Sequence, residues 1–309
     1  MAFSSDVRTE LSEVIPKSRH CRIAMLAGIV TLDGKLKYED GVRIISIRME
    51  QDILVDTVKR LLEQVFLFTG DDYVTVPRNG SGARLRIEEA EKVEQMILTL
   101  KLTAREDRLD VDKMVFTRLC CRNSFLRGAY MAAGSISNPE NSYQLEIVAG
   151  RPSVTGQLLE LFDGLGLKGH TVVRRGQSVI YLKGADDISE LLGQMGASRA
   201  MMELENIRIL KGIRNTINRE VNCDTANITK ITDAAGRSIE DIRRIDETIG
   251  IPALPAELQE IAVLRMENPE LSLQELGELL SPPLGKSGVN HRLRKIRKIA
   301  ADPDILRES

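Results

Sequence analysis

Lys286, Ser287, Asn290, His291, Arg292, Arg294, Lys295 and Lys298 crowd into a short stretch near the C-terminus. Side chains of these types can grip DNA. Lys and Arg neutralise phosphates, Arg reads guanine and Asn reads adenine from the major groove. Val289, Leu293, Ile296 and Ala300 recur among them at i, i+4, i+7 and i+11, the apolar stripe of a helix over 286–300. Asn290, His291, Arg294, Lys295, Arg297 and Lys298 fall on the opposite face. Lys286, Ser287, Asn290, His291, Arg292, Arg294, Lys295 and Lys298 are the candidate DNA contacts, set against the plainer reading of a solvated helix in an ordinary bundle.

The charge pattern supports the sharper reading. Residues 257–280 hold six Glu against one Arg, whereas residues 281–300 hold six Lys and Arg and no acid. An abrupt change of sign inside one small domain suggests a basic surface with a partner. Upstream, Ser272-Leu273-Gln274-Glu275 reads as a capping box opening a helix over 273–280, which Ser281-Pro282-Pro283 must stop. A capped short helix, a turn through Gly285 and a basic amphipathic helix predict a helix-turn-helix.

Other chemistry is sparse. The four cysteines are Cys21, Cys120, Cys121 and Cys223, and there are three His. No CxxC pair or zinc-ligand spacing occurs, so the expectation is reduced thiols, with Cys21 and Cys121 in helix cores, and no metal or cofactor. The polar start Met1-Ala2-Phe3-Ser4-Ser5-Asp6 and the lack of a long apolar run predict a cytosolic protein with no membrane contact.

The elements that must carry these residues show an internal repeat. Cys21–Leu36 and Cys121–Ile136 share Cys, Arg, Leu, Gly and Gly at five of sixteen aligned positions. Self-similarity of this kind marks one folding unit per copy. In the first copy, strands at 35–38 and 42–49 flank an Asp40-Gly41 turn. A helix at 52–68, strands at 73–77 and 83–87 across Arg78-Asn79-Gly80-Ser81-Gly82, and a helix at 88–101 follow. In the second, a strand at 143–149, a helix at 153–165, a hairpin of 171–175 and 179–182 over Gly176-Gln177, and a helix at 186–195 are expected. The order αββαββα, twice, predicts a pseudo-two-fold α+β structure followed by an all-α domain.

Leu26-Ala27-Gly28-Ile29-Val30-Thr31-Leu32-Asp33-Gly34 resembles the LAGLIDADG motif of homing endonucleases at five of nine positions. Leu126-Arg127-Gly128-Ala129-Tyr130-Met131-Ala132-Ala133-Gly134 resembles it at four. The resemblance implies two motif helices packed along a pseudo-dyad, with Gly28 and Gly128 allowing close approach. In the nucleases an acid at the foot of each helix holds Mg²⁺. Here Asp33 stands in one copy and Ala133 in the other, so the scaffold is expected without catalysis and Asp33 as a turn residue before Gly34. The arginines of 73–87 (Arg78, Arg84, Arg86) and the cations of 168–183 (Lys168, Arg174, Arg175, Lys183) could add phosphate contacts, be merely solvated, or give way to a protein partner.

Residues 199–221 read as one helix with Met202, Ile209 and Ile213 on a shared apolar side. Asn218, Asn222 and Asn227 are expected to cap helix ends rather than touch DNA. Ser238 with Asp241 resembles a new helix start. Ser272–Ser281 and Lys286–Lys295, with Asn218-Arg219, Asn222-Cys223-Asp224 and Asn227 between domains, resemble the WhiA regulators, whose C-terminal domain is similar to sigma-factor region 4. That resemblance implies a degenerate LAGLIDADG scaffold fused to a helix-turn-helix. It further implies a nucleoid-associated regulator of sporulation or cell-division genes bound at double-stranded promoter DNA, with a second regulatory protein as a possible partner of the N-terminal domain. The expected domains are 1–104 and 105–198 for the repeats, 199–227 for a linker helix and 228–309 for DNA binding. The rival readings are a site-specific endonuclease that retains activity and a protein-interaction adaptor.

Overall fold

The structure, a computed structural model, describes residues 2–78, 80–105 and 107–302. Met1, Asn79 of the expected hairpin connection, Glu106 and residues 303–309 of the expected DNA-binding domain lie outside the described residues. The chain divides into residues 1–212 and 213–309.

The first unit opens with α1 (Ala2–Glu13), which sequence patterning did not reveal. Next come α2 (Arg19–Asp33), β1 (Gly34–Glu39), β2 (Val42–Met49), α3 (Asp52–Phe66), β3 (Val74–Pro77), β4 (Ala83–Ile87) and α4 (Ala90–Thr99). A second unforeseen piece, the hairpin β5 (Leu102–Arg105) and β6 (Arg108–Val111), leads through a 3₁₀ turn at Lys113–Phe116 into the second copy. That copy holds α5 (Leu119–Ala133), β7 (Gly134–Ile136), β8 (Gln144–Val148), α6 (Pro152–Asp163), β9 (His170–Arg174), β10 (Gln177–Lys183) and α7 (Ala185–Met195). The order αββαββα is present twice, as expected.

Each copy builds an antiparallel sheet. The first runs β3-β4-β2-β1-β6-β5, because β6 joins the free edge of β1 at Lys35↔Arg108. The second runs β7-β8-β10-β9. Asp40 and Gly41 take φ of +52° and +81°, and Glu39 pairs with Val42. Positive φ at both central residues is the two-residue turn that matches strand twist. The same device joins β9 to β10, but one residue earlier than expected. Arg175 and Gly176 carry the positive φ and Arg174 pairs with Gln177, since Gly tolerates the second left-handed position without steric cost.

The two copies meet along α2 and α5. A Cβ on Gly28 would lie 2.3 Å from the Phe125 carbonyl oxygen, and one on Gly128 would lie 2.0 Å from that of Met25. Glycine is required where backbones approach this closely. Around the pair, Met25, Leu26, Ile29, Phe125, Leu126 and Tyr130 are fully buried and continue into one core with Ile45, Ile47, Leu85, Leu145 and Ile180.

The helix expected over 199–221 runs much further, as α8 (Ser198–Thr248). Ser238 starts no helix; its Oγ donates to the Ala234 carbonyl inside α8. Asn218, Asn222 and Asn227 cap nothing, for they too are exposed mid-helix residues. Within this segment the hydroxyls of Thr225 and Thr229 are satisfied inside the helix, donating to carbonyls four residues back at 2.7 and 2.9 Å. Met202, Ile209 and Ile213, expected on an apolar side, are each more than half exposed.

The second unit packs the end of α8 against a 3₁₀ turn at Ile251–Ala253, α9 (Ala256–Glu267), α10 (Leu273–Glu278) and α11 (Lys286–Ala300). Its core is separate from the first: Ile242, Ile245, Leu258, Ile261, Leu276, Val289, Leu293 and Ile296.

Candidate nucleic-acid interface

Three devices set α11. The capping box of α10 is complete: the Glu275 amide donates to Ser272 Oγ at 3.3 Å, and the Ser272 amide donates to Glu275 Oε2 at 2.8 Å. The chain then turns tightly over Gly277, whose carbonyl accepts from the Leu284 amide at 2.9 Å. A Cβ on Gly277 would sit 1.9 Å from the Leu284 oxygen, so only glycine lets the turn close against α10. From α9, Glu260 Oε1 accepts from the Ser281 amide at 2.9 Å.

Arg265, only 2 % exposed, braces the preceding turn. Its Nη1 donates to the carbonyls of Leu271 at 2.7 Å, Asn268 at 3.4 Å and Pro269 at 3.5 Å. Burial pulls its guanidinium below the ordinary value, against the opposing pull of Glu270. The lone Arg in an acidic stretch was the sequence signal for this role, but nothing in the pattern revealed its burial.

The expected buried stripe of α11 is present: Val289, Leu293, Ile296 and Ala300. Ser287, His291, Arg294 and Lys298 repeat the same i, i+4, i+7, i+11 spacing two residues out of phase. Two residues are 200° around a helix, so this second stripe points away from the core. All four are exposed, as is Lys286. Asn290 and Arg292 are half-buried on the two flanks. Lys295, also expected among the DNA contacts, is exposed and pairs with Glu257 of α9 at 2.8 Å. That hydrogen bond, and the charge behind it, hold the Glu257 carboxyl below its usual range. Arg297 pairs similarly with Asp241 at 3.1 Å. Among the described residues no ion pair engages Lys286, Arg292, Arg294 or Lys298.

The LAGLIDADG-like unit offers less. Asp33 ends α2 and Gly34 follows as its C-cap. Asp33 Oδ2 is buried without a hydrogen-bond partner. Burial, then the negative Glu50, push its carboxyl up to about 7 against Arg48, Arg78 and Arg8. A hard dication needs several ionised or carbonyl oxygens. With Ala133 at the matching position of the second copy, the repeat pair supplies a single motif carboxyl where such an ion needs several oxygens, so the residues present do not fit it. On the sheets, Arg86 pairs with Glu39 and Glu88, Arg78 approaches Glu50, and Arg174 pairs with Glu146. Arg84, Lys168, Arg175 and Lys183 are exposed. Several cations of these strands are thus paired with acids, whereas among the described residues Lys286, Arg294 and Lys298 of α11 have no ion pair.

Residues 122–214 match the family model of the WhiA LAGLIDADG-like domain, and residues 217–300 that of the WhiA C-terminal HTH domain. A probable cell division protein WhiA from Lachnospira eligens is 39% identical over 317 residues, covering 100% of this chain and 98% of its own. Another of that name from Desulfitobacterium hafniense is 39% identical over 308 residues, covering 97% and 96%. The crystal structure of full-length WhiA from Thermatoga maritima matches with a TM-score of 0.61 at 25% identity, over 96% of this chain and 97% of the other.

Proposed function

The chain belongs to the WhiA family, and from that premise we propose that it is a sequence-specific transcription regulator that reads promoter DNA through α11. The observation that carries this reading is the outward stripe of Ser287, His291, Arg294 and Lys298, opposed to the buried stripe, on which Arg294 and Lys298, like Lys286, have no ion pair among the described residues. In this reading Asn290 and Arg294 touch base edges, while Lys286, Arg292 and Lys298 hold phosphates. Ser287 and His291 lie beside them on the same face, and Lys295 contributes once its pair with Glu257 opens. Residues 228–309 form the DNA-binding domain, 199–227 the linker, and 1–104 and 105–198 the two repeats. The genes served are those of cell division or sporulation, and the place of action is the nucleoid. The repeat unit serves without cutting DNA. Its strands expose Val74, Val76 and Val173, which suits a protein partner better than a phosphate backbone.

The test is genome-wide mapping of binding positions, followed by titration of one recovered site. Replacing Arg294 or Asn290 by Ala should cost about 1–3 kcal/mol on that site and relax preference at one base position. Replacing Lys298 should weaken binding to all sequences alike and flatten the salt slope by roughly one unit. Unchanged binding in an Arg294→Ala, Lys298→Ala double variant would remove α11 from the interface.

A further inference from the structure

The cysteines that looked unrelated in sequence converge at the N-terminal ends of α2 and α5. His20 and Cys21 open one helix and Cys120 and Cys121 open the other. Their donor atoms, one imidazole nitrogen and three sulfurs, all lie within 4.8 Å of one another. His20 Nδ1 is 3.2 Å from Cys121 Sγ and 3.3 Å from Cys21 Sγ. We propose that these four residues form a structural zinc site that clips the two repeats together across their pseudo-dyad.

The chemistry of the donor set favours zinc. Three thiolates and one imidazole are a common structural set for Zn²⁺, and hard ions such as Mg²⁺ avoid it. Tetrahedral bonding separates neighbouring donors by about 3.5–3.8 Å, so the cluster needs side-chain adjustments of only about 1 Å to close on an ion. Cys21 and Cys121 are buried and form the floor, while His20 and Cys120 are exposed and form the open side through which an ion would enter.

The fold supports the set twice over. The offset of one hundred residues that aligns Cys21 with Cys121 also aligns His20 with Cys120, so each repeat supplies two ligands. The approach to each helix is braced in the same way. Arg22 Nε donates to the Pro16 carbonyl at 2.9 Å, and Arg122 Nε donates to the Phe116 carbonyl at 3.2 Å, six residues back in both cases. Asp33 lies at the other end of α2, a fifteen-residue helix of about 22 Å, so this site is independent of the nuclease-like position.

The test begins with elemental analysis of the full chain purified without chelator, which should hold one zinc per chain. Chain stripped of metal and titrated with Co²⁺ should show the visible bands of tetrahedral cobalt with thiolate-to-metal charge transfer. His20→Ala and Cys120→Ala alter exposed side chains and should fold normally, yet retain less than about a tenth of the zinc under chelator competition. Cys223→Ala should retain all of it, and metal removal should lower the Tm of the full chain. The proposal is overturned by a metal-free chain that gives no cobalt spectrum. A disulfide among the three cysteines in chain prepared under reducing conditions, an iron–sulfur chromophore, or equal zinc in the His20→Ala, Cys120→Ala double variant would overturn it as well.

Discussion

At Asp33 the carboxyl is buried in surroundings that disfavour its charge, and a pH dependence of stability follows from that. The folded chain keeps a proton there up to about pH 7, whereas the unfolded chain releases it near the ordinary carboxylate value of about 4. Its stabilising contribution is therefore complete below about pH 4 and is lost as pH rises through 7. Asp33→Asn should flatten that part of the stability profile and gain roughly 2 kcal/mol over the parent chain at pH 8, measured by urea unfolding across pH. The same substitution should leave DNA intact, as the parent chain does, when either is incubated with its own binding site and Mg²⁺ or Mn²⁺. Cleavage by the parent that disappears in Asp33→Ala would show instead that Asp33 works as a metal ligand.

Among elements, the pairing of α2 with α5 and the turn from α10 into α11 both depend on a backbone touching a backbone. Gly28 and Gly128 meet the Phe125 and Met25 carbonyl oxygens, and Gly277 meets that of Leu284. Elsewhere in a helix, Ala for Gly gains about 1 kcal/mol of propensity. Here the added methyl has no flexible side chain to displace. Gly128→Ala should destabilise the repeat unit by about 3 kcal/mol or more, visible as a lowered Tm. Gly277→Ala should lower DNA affinity while leaving the repeat unit's transition in place, since the two cores share no residue. A Gly128→Ala chain as stable as the parent would contradict the close approach.

For the whole molecule, separate cores imply separable functions. The second core is built from residues 242–300. A fragment of residues 228–309 should therefore fold, bind the mapped site and discriminate it from other DNA. A fragment of residues 1–200 should bind weakly and with strong salt dependence, because its sheet cations sit among Glu39, Glu50, Glu88 and Glu146. Footprinting of both fragments checks this, and protection by 1–200 alone would move sequence reading to the repeats. No helix among the described residues is long and apolar enough to cross a membrane.

Local rules determined much of this protein from sequence. Strand alternation and turn residues placed β2 and β4 to the residue, the capping box marked the start of α10, and the apolar stripe of α11 oriented its outer face. The repeat disclosed the pseudo-dyad because each copy carries its own glycines. These signals depend on contacts within a few residues, or on similarity that survives duplication. Tertiary structure decided what depends on distant partners. Lys295 found Glu257 as its ion-pair partner, thirty-eight residues away, and Arg265 became a buried brace only when α9 packed. His20, Cys21, Cys120 and Cys121 have no ligand spacing along the chain, because the half-site spacing lies across the pseudo-dyad and exists only after the two copies pack.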